Sequence, residues 1–131
     1  MLRRGLVAVR DERDKSRLMR LIRRLNPETT LELELYHAAE SDETAAKVEE
    51  LLADMFDELH DEGFPYVELR KTVEITDNPE FGIIRRARDH EFIVMGETEQ
   101  PDIEDQIFGE TYEYVSEETE LPILLGRVNQ R

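Results

Sequence analysis

Gly96 closes the apolar run Phe92-Ile93-Val94-Met95, and Gly109 heads a later amphipathic segment, with a loop rich in Glu, Gln, Pro and Asp between them. A buried strand ending in Gly, a loop, and a second Gly opening a helix turn backbone N–H groups outward, which is the chemistry of phosphate binding. The side chains oppose it. Glu97, Glu99, Asp102, Glu104, Asp105 and Glu110 fill the loop with carboxylates that repel anions. Carboxylate oxygens are what Mg²⁺ or Ca²⁺ prefer, so a cation-assisted phosphohydrolase is the enzyme reading of the same residues. In a chain this acidic, however, such a run reads first as a solvated face.

The other reactive groups form no constellation. His37, His60 and His90 fall on different segments with no ligand spacing; His60 and His90 read as solvated helix-end residues, and His37 as a structural histidine near a strand end. Ser16, Ser41 and Ser116 have no nucleophile-elbow context, and there is no Cys for thiolate or disulfide chemistry. The expectation is a non-catalytic protein without a metal.

Elements that would position these residues follow in regular order. Leu6-Val7-Ala8-Val9 is a first buried strand running into Arg10-Asp11-Glu12, and Leu18, Leu21, Ile22 and Leu25 form a helical stripe that ends at Asn26-Pro27. Arg13, Arg17, Arg20 and Arg24 share its period and read as a solvated basic flank. Leu31 to Ala38 is a second strand, whose alternation of Leu31, Leu33 and Leu35 with Glu32 and Glu34 predicts a half-exposed beginning. Ser41 caps a helix with Val48, Leu51, Leu52, Met55, Phe56 and Leu59 on its core face and Gly63 as its stop.

A third strand covers Tyr66 to Ile75. Asn78-Pro79 caps and opens a third helix facing inward through Ile83, Ile84 and Ala87, while Arg85, Arg86 and Arg88 suit its C-terminal dipole. The fourth strand is Phe92–Met95. Ile107, Tyr114 and Val115 mark a last helix, and Pro122-Ile123-Leu124-Leu125 a fifth strand. Alternating strands and helices with crossover-length connections specify a Rossmann-like three-layer α/β/α sandwich around a five-stranded, mainly parallel sheet. Its ligand rim would bring together Arg10, the residues after His37, and Gly96 to Glu110.

At 131 residues the chain reads as one domain. A formal net charge of −15 argues against nucleic acid and anionic membranes as partners. No apolar window has membrane-span length, and the N-terminal apolar run is cut by Arg10 and Asp11, so a cytoplasmic protein without membrane insertion is expected. Only Lys15, Lys47 and Lys71 are Lys among 17 basic residues, and an acid-rich, Lys-poor surface suits a high-salt, halophilic cytoplasm.

At Val94-Met95-Gly96 the chain resembles the universal stress protein (UspA-like) family, whose fold is adenine nucleotide alpha hydrolase-like. The resemblance runs through Leu6 to Val9, Leu33 to His37, Pro79 with Ile83 and Ala87, Gly109, Glu113-Tyr114-Val115, and Pro122-Ile123-Leu124. The family's nucleotide-binding branch holds phosphates with Gly, two residues, Gly, nine residues, Gly, then Ser or Thr. Here the spacing is kept by Gly96, Glu99, Gly109 and Glu110, with two residue types changed. The acid that ends the family's first strand and contacts the nucleoside is replaced by Arg10, and the Gly-Asp before the third-helix Pro reads Asp77-Asn78.

A carboxylate near a phosphate costs up to ~4 kcal/mol per charge pair at an effective dielectric of ~20, and a helix N-terminus returns at most ~2 kcal/mol. ATP binding is therefore expected to be lost or much weakened. The degenerate site implied by the resemblance comprises Arg10, Ala38, Met95, Gly96, Glu99, Gly109 and Glu110, with Arg10 expected to pair with Glu97, Glu99 or Glu110. The resemblance also implies a homodimer through Ile123, Leu124 and Leu125, with an unidentified protein as partner. Two alternatives stay open: an ATP-binding stress protein, and a regulatory cytoplasmic domain of a transporter.

Overall fold

A computed structural model describes residues 3–25, 31–62, 67–96 and 115–126. The element order is β1 (Arg4–Ala8), a 3₁₀ turn (Glu12–Asp14), α1 (Lys15–Arg24), β2 (Leu31–Ala39), α2 (Asp42–Asp61), β3 (Val67–Ile75), α3 (Pro79–Ala87), β4 (Phe92–Gly96) and β5 (Ile123–Gly126). Residues 115–118 are also helical. All strand pairings are parallel, and the sheet runs β3-β2-β1-β4-β5.

The helices begin where capping chemistry places them. Ser41 Oγ accepts the Thr44 N–H at 3.2 Å, and Asn78 Oδ1 accepts the Phe81 N–H at 3.1 Å ahead of Pro79. Each cap satisfies a donor that the first turn leaves without an intrahelical partner. Alternation along the strands then supplies both faces of the core. Val7, Val9, Leu33 and Leu35 pack against Leu18 and Ile22 of α1 and Leu52, Met55 and Leu59 of α2. Leu6, Ala8, Tyr36, Ile93 and Met95 pack on the other side against Ile83, Ile84 and Ala87 of α3 and Val115.

Three expectations need correction. The start of β2 is half-exposed only at Glu32: Leu31 and Leu33 are buried as the alternation requires, but Glu34 is 5% exposed, because β2 is an inner strand with helices over both faces. Nor is His90 a solvated helix end; it is buried with its Nδ1 2.9 Å from the Arg86 carbonyl oxygen. Arg86 does more than complement a helix dipole, since its Nη2 and Nε donate to Glu34 Oε2 at 2.6 and 3.1 Å. A carboxylate can occupy an interior strand position here because a guanidinium from α3 meets it. The expectations at Asn26-Pro27, Gly63, Tyr66, Ile107 and Tyr114 lie outside the described residues.

Candidate functional site

Strand order decides where a site can form. The chain moves outward from β1 through β2 to β3, then returns to β4 on the opposite side of β1. The crevice beyond the carboxyl ends of β1 and β4 is therefore the switch point, the usual ligand position in such sheets. Ala8 is in register with both Tyr36 and Met95, so Arg10, Ala38 and Gly96 arrive together at one rim. A cavity of about 350 Å³ lies there. Ala8, Val9, Ala38, Met95, Pro79 and Ile83 give it apolar walls, Tyr36 and His37 contribute polar groups, and Glu40 and Glu80 place carboxylates at it.

The structure brings Arg10, Ala38, Met95 and Gly96, four of the residues named for the degenerate site, to one cavity. Glu99, Gly109 and Glu110 lie outside the described residues, as do Glu97 and the rest of the acidic loop. The partnership expected of Arg10 with that loop therefore also lies outside the described residues.

Among the described residues Arg10 has a carboxylate that the sequence reading did not single out. Its Nη2 and Nε lie 2.6 and 3.0 Å from Asp14 Oδ1 and Oδ2, and its backbone N–H donates to Asp14 Oδ2 at 2.9 Å. Asp14 is completely buried. A two-point guanidinium–carboxylate fork with an added backbone donor is what a buried carboxylate requires to remain charged.

Local sequence explains how Asp14 reaches the strand end. Asp11 Oδ1 accepts the Arg13 N–H at 2.9 Å, capping the 3₁₀ turn, and the Asp14 N–H donates to the Asp11 carbonyl at 3.1 Å. Burial works against the Asp11 carboxylate, but bonds from Arg13 and the charges of Arg13 and Arg10 hold its pKa below the ordinary value. The turn folds Asp14 back beneath β1. The available signal was the four-residue spacing of Arg10 and Asp14 behind a capping Asp.

Gly96 completes the arrangement. A Cβ built on it would stand 2.5 Å from Asp14 Oδ1 and 3.4 Å from Arg10 Nη2. The absent side chain at Gly96 makes room for the ion pair. The first glycine of the phosphate-like motif therefore has a structural reason to be glycine without any phosphate.

His37 is 6% exposed, and its Nδ1 lies 2.7 Å from the Val9 carbonyl oxygen. A carbonyl only accepts, so the Nδ1 proton is the one shared, and Nε2 is left as a buried group with no hydrogen-bond partner among the described residues.

A second polar cluster lies on the α3 face, away from the cavity's glycine end. Thr72 Oγ1 donates to Glu34 Oε2 at 2.6 Å, and His90 Nε2 stands 3.1 Å from Glu34 Oε1. The latter contact has ion-pair distance without hydrogen-bond alignment, since Nε2 finds no geometrically acceptable acceptor. Burial pushes Glu34 up, yet bonds from Arg86 and Thr72 and the charges of Arg86 and His90 bring its pKa below the usual carboxylate value. Alongside, the Tyr36 hydroxyl donates to Glu74 at 2.8 Å and Arg85 bonds the same carboxylate.

Ile123, Leu124 and Leu125 lie on β5, the edge strand beside β4, and are half-buried. Leu124 packs toward the α1 and α2 side, and Ile123 and Leu125 toward the α3 side. Among the described residues no group of three or more His, Asp or Glu could hold a metal ion, and no helix is long and apolar enough to cross a membrane.

The fold is that of universal stress protein structures. Hypothetical protein MJ0577, the subject of a structure-based assignment of biochemical function, superposes with a TM-score of 0.76 at 13% identity, covering 96% of this chain and 97% of that one. The universal stress protein from Archaeoglobus fulgidus in complex with dAMP gives 0.65 at 19% identity over 95% and 98% of the two chains. A universal stress protein in complex with cAMP gives 0.67 at 16% identity over 98% of each. No protein-family model and no curated protein matches the chain.

Proposed function

We propose that this chain is a universal-stress-protein-like regulatory domain, non-catalytic, which acts through dimerisation and protein interaction and has a degenerate nucleotide loop. The observation that carries the reading is the Arg10–Asp14 pair lodged against Gly96, the first glycine of the loop motif. A carboxylate is present at the end of β1, but Arg10 occupies both of its oxygens. With Glu99 and Glu110 at two positions of the loop motif, the phosphate side carries negative charge in place of donors. The acidic composition fits a halophilic cytoplasm, where screening tolerates such self-repulsion.

Equilibrium dialysis with labelled ATP at several salt concentrations tests the loss of the triphosphate site. The expected result is no micromolar affinity at any salt level, and micromolar ATP binding overturns it. For assembly, β5 is the half-buried apolar strand at one end of the sheet among the described residues, and sheet edges invite pairing with a second copy. Sedimentation should give a dimer that Leu124→Glu dissociates; a monomer indifferent to that change removes the assembly part.

A second reading keeps a nucleotide at the rim. The cavity favours it, together with the dAMP and cAMP held by proteins of the same fold. A cation-assisted phosphohydrolase would need ligands from the acidic loop, and titration with Mg²⁺ and Ca²⁺ in high-KCl buffer should show no heat.

A further inference from the structure

We propose that the outer edge of β3 pairs with the same strand of a second copy of this chain, antiparallel and centred on Thr72. The contact is weak and separate from pairing through β5. Among the described residues β3 is the outermost strand on its side of the sheet, and β5 stands at the opposite end.

The backbone is prepared for a further strand. β3 keeps unbroken register with β2 from Leu31↔Val67 to Ala39↔Ile75, with no bulge or proline to turn the edge away. The Thr76 N–H donates to the Ala39 carbonyl at 2.8 Å, so the even-numbered residues direct their backbone groups toward β2. Leu69, Lys71, Val73 and Ile75 therefore direct theirs outward, as a row of donors and acceptors. A lysine commonly guards such an edge, but Lys71 Nζ lies 5.3 Å from the centroid of the Phe56 ring on α2.

The side chains form two rows. Leu69 and Val73 pack half-buried on the α2 side, and Ile75, at 55%, is the most exposed large hydrophobic side chain among the described residues. On the α3 side, Thr72 bonds Glu34 and Glu74 bonds Tyr36. Arg70 shares that side by alternation; it is exposed and makes no ion pair among the described residues.

A two-fold axis through Thr72 makes these rows complementary. Arg70 of each copy then stands opposite Glu74 of the other, Leu69 opposite Ile75, and Lys71 opposite Val73. The last two pairings join the outward-directed backbone groups, so they exchange the hydrogen bonds. Glu74 already accepts from Tyr36 and Arg85, and a carboxylate has about four acceptor sites, which leaves room for a second guanidinium.

Neighbouring registers lack this match. An axis through Lys71 sets that lysine against itself and Glu68 against Glu74, and an axis through Arg70 sets the arginine against itself. An axis through Val73 leaves Arg70 facing Thr76 and Leu69 facing Asp77. Any axis between two residues lays the apolar row of one copy over the charged row of the other. Complementarity of the strand with itself is what selects a second copy as the partner.

The test uses Leu124→Glu, which keeps β5 out of assembly, in high-KCl buffer that screens the −15 charge of each chain. Sedimentation equilibrium should show a monomer at micromolar concentration and a dimer with a Kd of about 0.1 mM, the weak end expected of so short a contact. Adding Arg70→Glu sets like charges opposite each other twice and should weaken the dimer about 10-fold. Mixing that chain with one carrying Glu74→Arg should restore association, because both ion pairs form in the reversed sense. Cysteine reads the register in a chain that has none of its own. Thr72→Cys should oxidise to a disulfide-linked dimer, its Cα atoms about 4.5 Å apart across the axis, whereas Lys71→Cys should not, at roughly 7–8 Å on the diagonal.

A Leu124→Glu chain still monomeric at about 1 mM, or a dimer indifferent to Arg70→Glu, overturns the proposal. Cross-linking at Lys71→Cys in preference to Thr72→Cys overturns the register. Arg70→Glu in the otherwise unchanged chain should leave the micromolar dimer intact; its dissociation there would assign that dimer to β3 and remove the assembly reading at β5.

Discussion

Asp14 and Glu34 are both buried carboxylates, each held by an arginine fork, yet they lie in regions with different tasks. Glu34 sits mid-strand in β2, and its partners Arg86, Thr72 and His90 come from α3, β3 and the turn after α3. Asp14 sits at the rim, and its partner Arg10 is four residues away on the same stretch of chain. The Glu34 cluster joins distant elements and so fixes how α3 seats on the sheet. The Asp14 pair joins two residues of one short stretch of chain and fills the space beside Gly96. Buried ion pairs add little net stability compared with apolar packing, so their location says more about their use than their strength does.

Removing either acid should give the largest effect. Asp14→Ala and Glu34→Ala each leave a guanidinium without its buried counter-charge and should cost about 3–5 kcal/mol in urea denaturation. The two should differ in reach. Asp14→Ala should shift the Gly96 amide resonance and leave Thr72 and His90 in place, and Glu34→Ala the reverse. Equal disturbance of both regions by either change would erase the distinction.

Gly96→Ala comes next, at about 1–3 kcal/mol, because its Cβ would stand 2.5 Å from Asp14 Oδ1. In an Asp14→Ala background most of that cost should vanish, and the coupling of the cycle measures how far the glycine serves the ion pair. Additivity of the two changes would assign Gly96 some other task.

Acid provides a graded probe of the Glu34 region. The folded pKa of Glu34 lies below its ordinary value, so its contribution is present above the unfolded carboxylate range near ~4.3 and is lost as pH falls through the folded value. Glu34→Gln should flatten that acid limb of the stability curve. The smallest effect is expected at Tyr36, whose pKa burial and the Glu74 carboxylate push well up. Its contribution is present below the unfolded value of ~10 and lost above it, so Tyr36→Phe should cost about 1 kcal/mol at neutral pH and remove the alkaline decline.

Much of the architecture was legible because periodicity records burial. The alternating segments, the caps at Ser41 and Asn78, and the inward Ile83, Ile84 and Ala87 needed only local rules. Glu34 and His90 misled for a related reason: a polar residue in a pattern reads as solvent-facing unless a partner from elsewhere is known, and Arg86 lies far along the chain. At the site, Arg10, Ala38, Met95 and Gly96 were legible as strand-end residues, whereas Asp14 sat unnoticed in a charged turn.

The sequence by itself determined the order of strands and helices, the acidic balance, and the run of carboxylates between Gly96 and Gly109, since all three are properties of neighbours along the chain. Only the tertiary structure decided that Asp14 returns a carboxylate to the end of β1, that Arg10 neutralises it, and that Gly96 is shaped around the pair. Those contacts depend on which strand ends meet at the switch point, and that is fixed by packing across the whole sheet.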